Sequence, residues 1–225
     1  MNVHGVIFDM DGTLIDSAPS ILASIKVAFD EVGVEPAHPL SCDLIGPPLA
    51  HTLKFLLTDA ALGALPRIIE SFKRHYDESG FRETKVYKGV PEMLNELRRM
   101  QLRLYVATNK RILPTRKIVQ HLGWEAHFEA LFALDSVVPV LSDKAAMLRS
   151  LRLELSSVAE GLTYVGDRAE DADAANNSLF PFLWASWGYG ALEFDNASFI
   201  RVEEPAQLPK IFKTKILLRD FDLPR

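Results

Sequence analysis

The chain opens with an almost continuous apolar run, Val3 and then Gly5-Val6-Ile7-Phe8, that stops abruptly at Asp9-Met10-Asp11-Gly12-Thr13. A short apolar run bounded by turn residues is the pattern of a strand buried on both faces, as in a parallel sheet. Leu102 to Ala107, Leu131 to Leu134, Leu162 to Val165 and Phe182 to Ala185 have the same character. Each is preceded by residues at helical spacing, over 90–100, 112–122, 144–153 and 169–176. In the first of these, Val90, Met93, Leu94 and Leu97 share one face. Strands alternating with helices predict a parallel sheet joined by right-handed crossovers.

One stretch breaks the alternation. Ser17 reads as an N-cap and Pro19 suits a first turn. Leu22, Ile25, Phe29 and Val32 then fall on one face, and Gly33 ends the helix. A second helix is expected over 49–57. A third is expected over 65–79, with Ile68, Ile69, Phe72 and Tyr76 inward and Gly80 as its stop. A crossover normally needs far fewer residues, so this segment predicts a small helical domain placed over the end of the first strand. The expected organisation is a core of residues 1–16 and 84–225 with a helical cap of residues 17–83. The chain is expected to cross between them near Gly5, Ser17 and Lys88.

With 225 residues, 48% of them apolar and 24% charged, the composition is that of an ordinary globular protein. The net charge of −5 argues against gripping nucleic acid, which calls for a basic surface. No run reaches about 18 apolar residues, so no membrane span is predicted, and the opening residues do not resemble a signal peptide. A cytoplasmic enzyme is expected, with its oligomeric state unassigned. The single cysteine, Cys42, excludes a disulfide framework and is expected to be buried or half-buried. The six histidines show no metal-binding spacing.

The chemistry lies at the ends of the predicted strands, where open parallel sheets bind ligands. Asp9 and Asp11 are poor strand formers at the end of the first strand. A carboxylate there can attack phosphorus, and a second can protonate a leaving oxygen and then activate water. Gly12 permits a sharp turn that faces backbone amides toward an anion. Thr108-Asn109-Lys110 ends the second strand with a hydroxyl and an amide suited to a phosphate oxygen, and alone it reads equally as a helix cap. Lys144 stands at a helix start, where acids are favoured; it either points at an anion or is solvated. Asp167 and Asp171 in Gly166-Asp167-Arg168-Ala169-Glu170-Asp171 come together on a first helical turn. Such carboxylates suit Mg²⁺, or are simply acids favoured by the helix dipole.

In this order, the four clusters resemble the haloacid dehalogenase-like phosphatases. That family's motifs are an Asp-x-Asp-Gly-Thr, a Thr or Ser after a strand, a Lys, and a Gly-Asp-x-x-x-Asp. The resemblance spans residues 3–190, and Asp9 to Pro19 is similar to the opening of the phosphoglycolate phosphatase branch. It implies an α/β fold with a Rossmann-like, five-stranded core sheet of order 3-2-1-4-5 and an inserted helical cap. It also implies a Mg²⁺-dependent phosphatase for a small phosphorylated metabolite, 2-phosphoglycolate being the first candidate. By the resemblance, Asp9 is nucleophile and metal ligand, and Asp11 is acid/base with its backbone carbonyl on the metal. Gly12, Thr108, Asn109 and Lys144 bind phosphate, Thr108 and Lys144 also serving catalysis. Asp167 is a direct metal ligand and Asp171 a water-linked one.

Ala145 after Lys144, Arg111 after Lys110, and Tyr87-Lys88-Gly89 depart from the usual pattern without removing a reacting group. Ile45-Gly46-Pro47-Pro48-Leu49 resembles the cap loop facing the substrate, whereas Trp187 to Gly190 reads as turn and packing. Asp11 argues against a dehalogenase or a phosphonatase. A phosphoglucomutase-like transferase keeps both aspartates but carries a basic cap loop that is lacking here. A pyrophosphatase and a catalytically silent binding scaffold are further alternatives.

Overall fold

The computed structural model describes residues 4–190 and 199–221. Val3 of the expected first strand, and residues 191–198 and 222–225 of the expected core, lie outside it. Strand β1 (Gly5–Phe8) leads through a tight turn into β2 (Ile15–Asp16), and helices α1 (Ala18–Val32), α2 (Leu49–Phe55) and α3 (Leu65–Glu78) follow. The chain returns through β3 (Lys85–Val86) and then alternates: α4 (Val90–Arg99), β4 (Arg103–Thr108), α5 (Ile112–His121), β5 (Ala130–Ala133) and α6 (Lys144–Glu154). It continues through β6 (Leu162–Gly166), α7 (Ala169–Asn177), β7 (Phe182–Ala185), β8 (Ile200–Val202) and α8 (Gln207–Phe221).

The main sheet is parallel throughout, in the order β5-β4-β1-β6-β7-β8. The five expected strands are therefore joined by a sixth. The extra strand, β8, is three residues long, lies at the sheet edge and buries only Val202, leaving Ile200 and Arg201 exposed. An edge strand wet on one side lacks the continuous apolar run that marks its neighbours. Along β1, Val6 and Phe8 join the layer containing α4, α5 and α8, while Ile7 joins the layer of α6 and α7. This two-residue alternation makes the sheet doubly covered. Among the described residues no helix is long and apolar enough to cross a membrane.

The helical segment leaves and re-enters the core through a two-stranded antiparallel ribbon, with Ile15 opposite Val86 and Asp16 opposite Lys85. Two residues per strand are too few for a periodic signal, so the ribbon is invisible to pattern reading. Ile25, Phe29, Leu53, Ile68, Phe72 and Tyr76 pack together, and Met10, Leu14 and Ile15 carry the same apolar cluster into the sheet. Gly33 closes α1 in the left-handed conformation at φ 74°. Cys42 is exposed rather than half-buried, on a short turn that contributes no buried residue.

Gly5 is no crossing point. It lies inside β1 opposite Arg103, and a Cβ there would stand 2.1 Å from the Arg103 carbonyl oxygen. Gly5→Ala is expected to cost about 1–3 kcal/mol through forced separation of β1 from β4. The measurement is the urea midpoint, which should fall with little change in slope; an unaltered midpoint would contradict the close approach.

Candidate active site

The register brings the chemistry together. Phe8, the last residue of β1, lies opposite Val106 in β4 and Val165 in β6, which run on two and one residues further, to Thr108 and Gly166. Asp9 follows Phe8 directly, and Thr108 and Asp167 each follow their strand's partner by two residues. After β1 the chain turns tightly: the Met10 carbonyl accepts from the amides of Thr13, Leu14 and Ile15. Gly12 is required on two counts. Its φ is +87°, and a Cβ would lie 2.2 Å from Asp167 Oδ2. Gly166 plays a matching part at the end of β6, where a Cβ would stand 2.5 Å from the Asp171 carboxyl carbon.

Oxygens of Asp9, Asp167 and Asp171 lie within 4.8 Å of one another, all three residues buried. Lys144, at the first position of α6 and 3% exposed, reaches Asp171 Oδ1 at 2.5 Å and Asp9 Oδ1 at 3.2 Å. Asp171 also accepts from the amides of Asp167 and Arg168 and from the Tyr164 hydroxyl. Asp167 accepts from the Thr13 hydroxyl at 3.0 Å and the Tyr189 amide at 2.8 Å. The Asp9 side is different: its buried Oδ1, though near Lys144, has no aligned hydrogen-bond donor among the described residues. Thr108 is buried, and Asn109 Nδ2 donates to the Gly46 carbonyl and to Glu170.

Burial dominates the electrostatics. It pushes the Asp9 carboxyl well above its usual range; Lys144 opposes the shift, and the charges of Asp171, Asp167 and Asp11 reinforce it. Asp167 is pushed up to about 7 by burial and then by Asp171, against the Tyr189 amide, Lys144 and Thr13. Burial works against a charged Lys144, but Asp171, Asp9 and Glu170 outweigh it and hold the ammonium well above the lysine range. This set of buried oxygens with too few counter-charges fits a divalent cation that prefers oxygen ligands.

Asp11 stands apart from the three clustered carboxylates. Its Oδ1 accepts from the Ser17 hydroxyl at 2.5 Å, and Lys110 Nζ lies 2.9 and 3.0 Å from its two oxygens. Ser17 therefore occupies the N-cap position of α1 without capping it by its side chain. The Tyr189 hydroxyl does so instead, accepting from the amides of Ser17 and Ala18 and donating to Asp16. The stretch after β7 is thus more than turn and packing, since Trp187 Nε1 also holds the Thr13 carbonyl. Lys110, Ser17 and Tyr189 were not legible as site residues. Only Lys110's place beside Thr108-Asn109 offered a signal.

A cavity of about 60 Å³ adjoins Asp11, lined by Ile45, Gly46 and Pro47 of the expected cap loop and by Tyr76, Asn109 and Lys110. The helical segment is clamped to the core beside it. Arg111 makes two bonds to Asp77 of α3, at 2.9 and 2.6 Å, and Lys117 Nζ donates to the Asp77 carbonyl. His51, Lys54, Arg67 and Arg74 of the helical segment are exposed.

The family model for the haloacid dehalogenase-like hydrolases matches residues 6–185. The chain is 34% identical over 215 residues to the tyrosine-protein kinase PtkA of Mycobacterium tuberculosis, covering 92% of this chain and 70% of that protein. It is 32% identical over 192 residues to the phosphoglycolate phosphatase of Cereibacter sphaeroides, covering 82% and 86%. The structure of a predicted phosphatase from Clostridium acetobutylicum superposes with a TM-score of 0.81 at 26% identity, covering 95% of this chain and all of that one. The strand-end carboxylates and these likenesses agree: the chain belongs to the haloacid dehalogenase-like hydrolases, in their phosphoglycolate phosphatase-like branch.

Proposed function

We propose that the protein hydrolyses a small phosphomonoester through an aspartyl-phosphate on Asp9, with Mg²⁺ as its resident cation, in the cytoplasm. The observation that carries this reading is the cluster of Asp9, Asp167 and Asp171, buried at the ends of neighbouring strands with an Asp9 oxygen lacking a donor. Asp9, Asp167 and the Asp11 carbonyl would hold the cation, and Asp171, filled by its four donors, would fix the site from behind. A bound divalent cation offsets the repulsion between a phosphate dianion and the carboxylates.

Thr108, Asn109, Lys144 and the Gly12 turn hold the phosphoryl oxygens. Asp9 forms a bond to phosphorus as the ester bond breaks, and the departing oxygen takes the Asp11 proton. Water then adds to phosphorus, gives its proton to Asp11 and displaces Asp9. One water is consumed, and one alcohol and one phosphate are released. Helices α1–α3 serve as the cap of residues 17–83, closing over the reaction and limiting the leaving group. The cavity is well below the roughly 150 Å³ that accepts benzene, which favours a compact metabolite. The phosphoglycolate phosphatase relatives make 2-phosphoglycolate the first candidate.

The kinase name of the mycobacterial relative supports a second reading, transfer of the phosphoryl group from Asp9 to a hydroxyl acceptor other than water. Product stoichiometry separates the two: hydrolysis releases one phosphate per ester consumed, whereas transfer yields a phosphorylated acceptor and little free phosphate.

Asp9→Asn is expected to keep the fold and abolish turnover, and Asp11→Asn to slow it by about 10²-fold or more. Wild-type rates in phosphate release would refute the assigned roles. EDTA should abolish activity and Mg²⁺ restore it. The metal-free fold keeps a proton on Asp167 up to a pH of about 7, against about 3.8 for an ordinary Asp. This contribution to stability is complete below the lower value and lost as pH rises through the upper one. Mg²⁺ must displace that proton under acidic conditions, so the rise in Tm on adding Mg²⁺ should be larger at about pH 8 than at about pH 5.5. A shift independent of pH would count against metal binding at Asp167.

A further inference from the structure

Lys110 lies beside Asp11 and lines the cavity next to it. Its side chain is 5% exposed, its ammonium bridges both Asp11 oxygens, and it lies 4.8 Å from the centroid of the Tyr76 ring in α3. The opposite wall is apolar, formed by Ile21, Ile25, Leu49 and Phe72. Arg111 is the other cation on the cavity lining, and Asp77 holds it by two bonds. Asp77 takes no part in the reaction, so Arg111 keeps its partner throughout. Lys110 does not. Asp11, its only carboxylate partner among the described residues, is the group that must turn to the departing oxygen.

When Asp11 engages that oxygen, the ammonium keeps the Tyr76 ring but loses its carboxylate counter-charge. An unpaired buried charge is strongly unfavourable, so the state is favourable only if another anion takes the place of Asp11. The phosphoryl oxygens are already served by Thr108 and Lys144 on the Asp9 side. The remaining source is the leaving group itself.

Resting on the hydrolase reading above, we infer that Lys110 is the receptor for a carboxylate on the leaving group, and that its passage from Asp11 to that carboxylate frees Asp11 for proton transfer. The small volume beside Asp11 favours a carboxylate close to the ester oxygen. Lys110 thereby selects short phosphorylated hydroxy acids over uncharged esters of the same size, and it couples recognition to catalysis because an uncharged ester leaves Asp11 clamped.

The test compares kcat/KM for 2-phosphoglycolate with that for 2-hydroxyethyl phosphate, its uncharged counterpart, in the Mg²⁺-loaded enzyme. The wild type should favour the acid by about 30-fold or more, the usual effect of losing one partner of a buried charge pair. Lys110→Met and the near-isosteric Lys110→Gln should bring the two esters close to parity, by losing far more on the acid. Arg111→Gln should leave the ratio in place. A wild type that prefers the uncharged ester overturns the proposal without any variant, and so does an equal loss on both esters in the Lys110 variants. Collapse of the ratio in Arg111→Gln alone moves the receptor to Arg111 and likewise overturns it. Each of these outcomes leaves phosphate release intact. Absence of release from either ester in the wild type instead removes the hydrolase reading, and this inference with it.

Discussion

Three carboxylates within 4.8 Å of one another, almost without access to water, set the terms for everything around them. Two unit charges about 4 Å apart repel by roughly 4 kcal/mol at an effective dielectric near 20. The fold answers with Lys144, two hydroxyls and three backbone amides. Lys144 comes from the start of α6, the Asp167 and Arg168 amides from the turn between β6 and α7, the Tyr164 hydroxyl from within β6, and Thr13 and the Tyr189 amide from the turns after β1 and β7. The β1–β6 register and the bare Cα atoms of Gly12 and Gly166 follow from the need to bring those donors close. The cluster still holds more negative charge than its surroundings offset, and that surplus is its capacity for a cation.

The helical segment is tied to the same cluster at separate points. Arg111 and Lys117 hold the end of α3, Asn109 holds the loop before α2 at Gly46, and Tyr189 holds the start of α1. Tyr189 is the most economical of these ties, because its amide serves Asp167 while its hydroxyl serves α1. Any rotation of α1 about the β2–β3 ribbon is thus felt at the Asp167 carboxylate. Arg111, one of the positions where the sequence departs from the pattern it resembles, performs a joining task in this chain.

The strands and helices of the core were legible because burial on both faces leaves continuous apolar runs, and amphipathic helices leave their own period. Asp9 and Asp11 stood out because acids at a strand end contradict local propensity, whereas Lys144, Asp167 and Asp171 stood out only as members of an ordered set that resembles a family pattern. What escaped notice obeys a different logic. β8 is half exposed, and the β2–β3 ribbon is too short to repeat. Ser17 satisfies the rule for an N-cap while its hydroxyl serves Asp11, so a correct local reading concealed its contact with the site. Tyr189 carries no sequence signature and Lys110 only its place beside Thr108-Asn109, since their contacts exist only once residues 172 and 99 positions away are brought together.

That long-range closure also bears on how the chain comes to life. The Thr13–Asp167 bond joins residues 154 positions apart, and β6 must be inserted beside β1 before it can form. Contacts of such separation form late, because chain closure is opposed by entropy until neighbouring strands are in place. A nascent chain that has emerged only as far as β4 and β5 already exposes Asp9, Asp11 and Thr108, yet has neither Asp167 nor Lys144. The order of synthesis therefore sets an order of assembly: Asp9 is made first and gains Asp167 and Lys144 last.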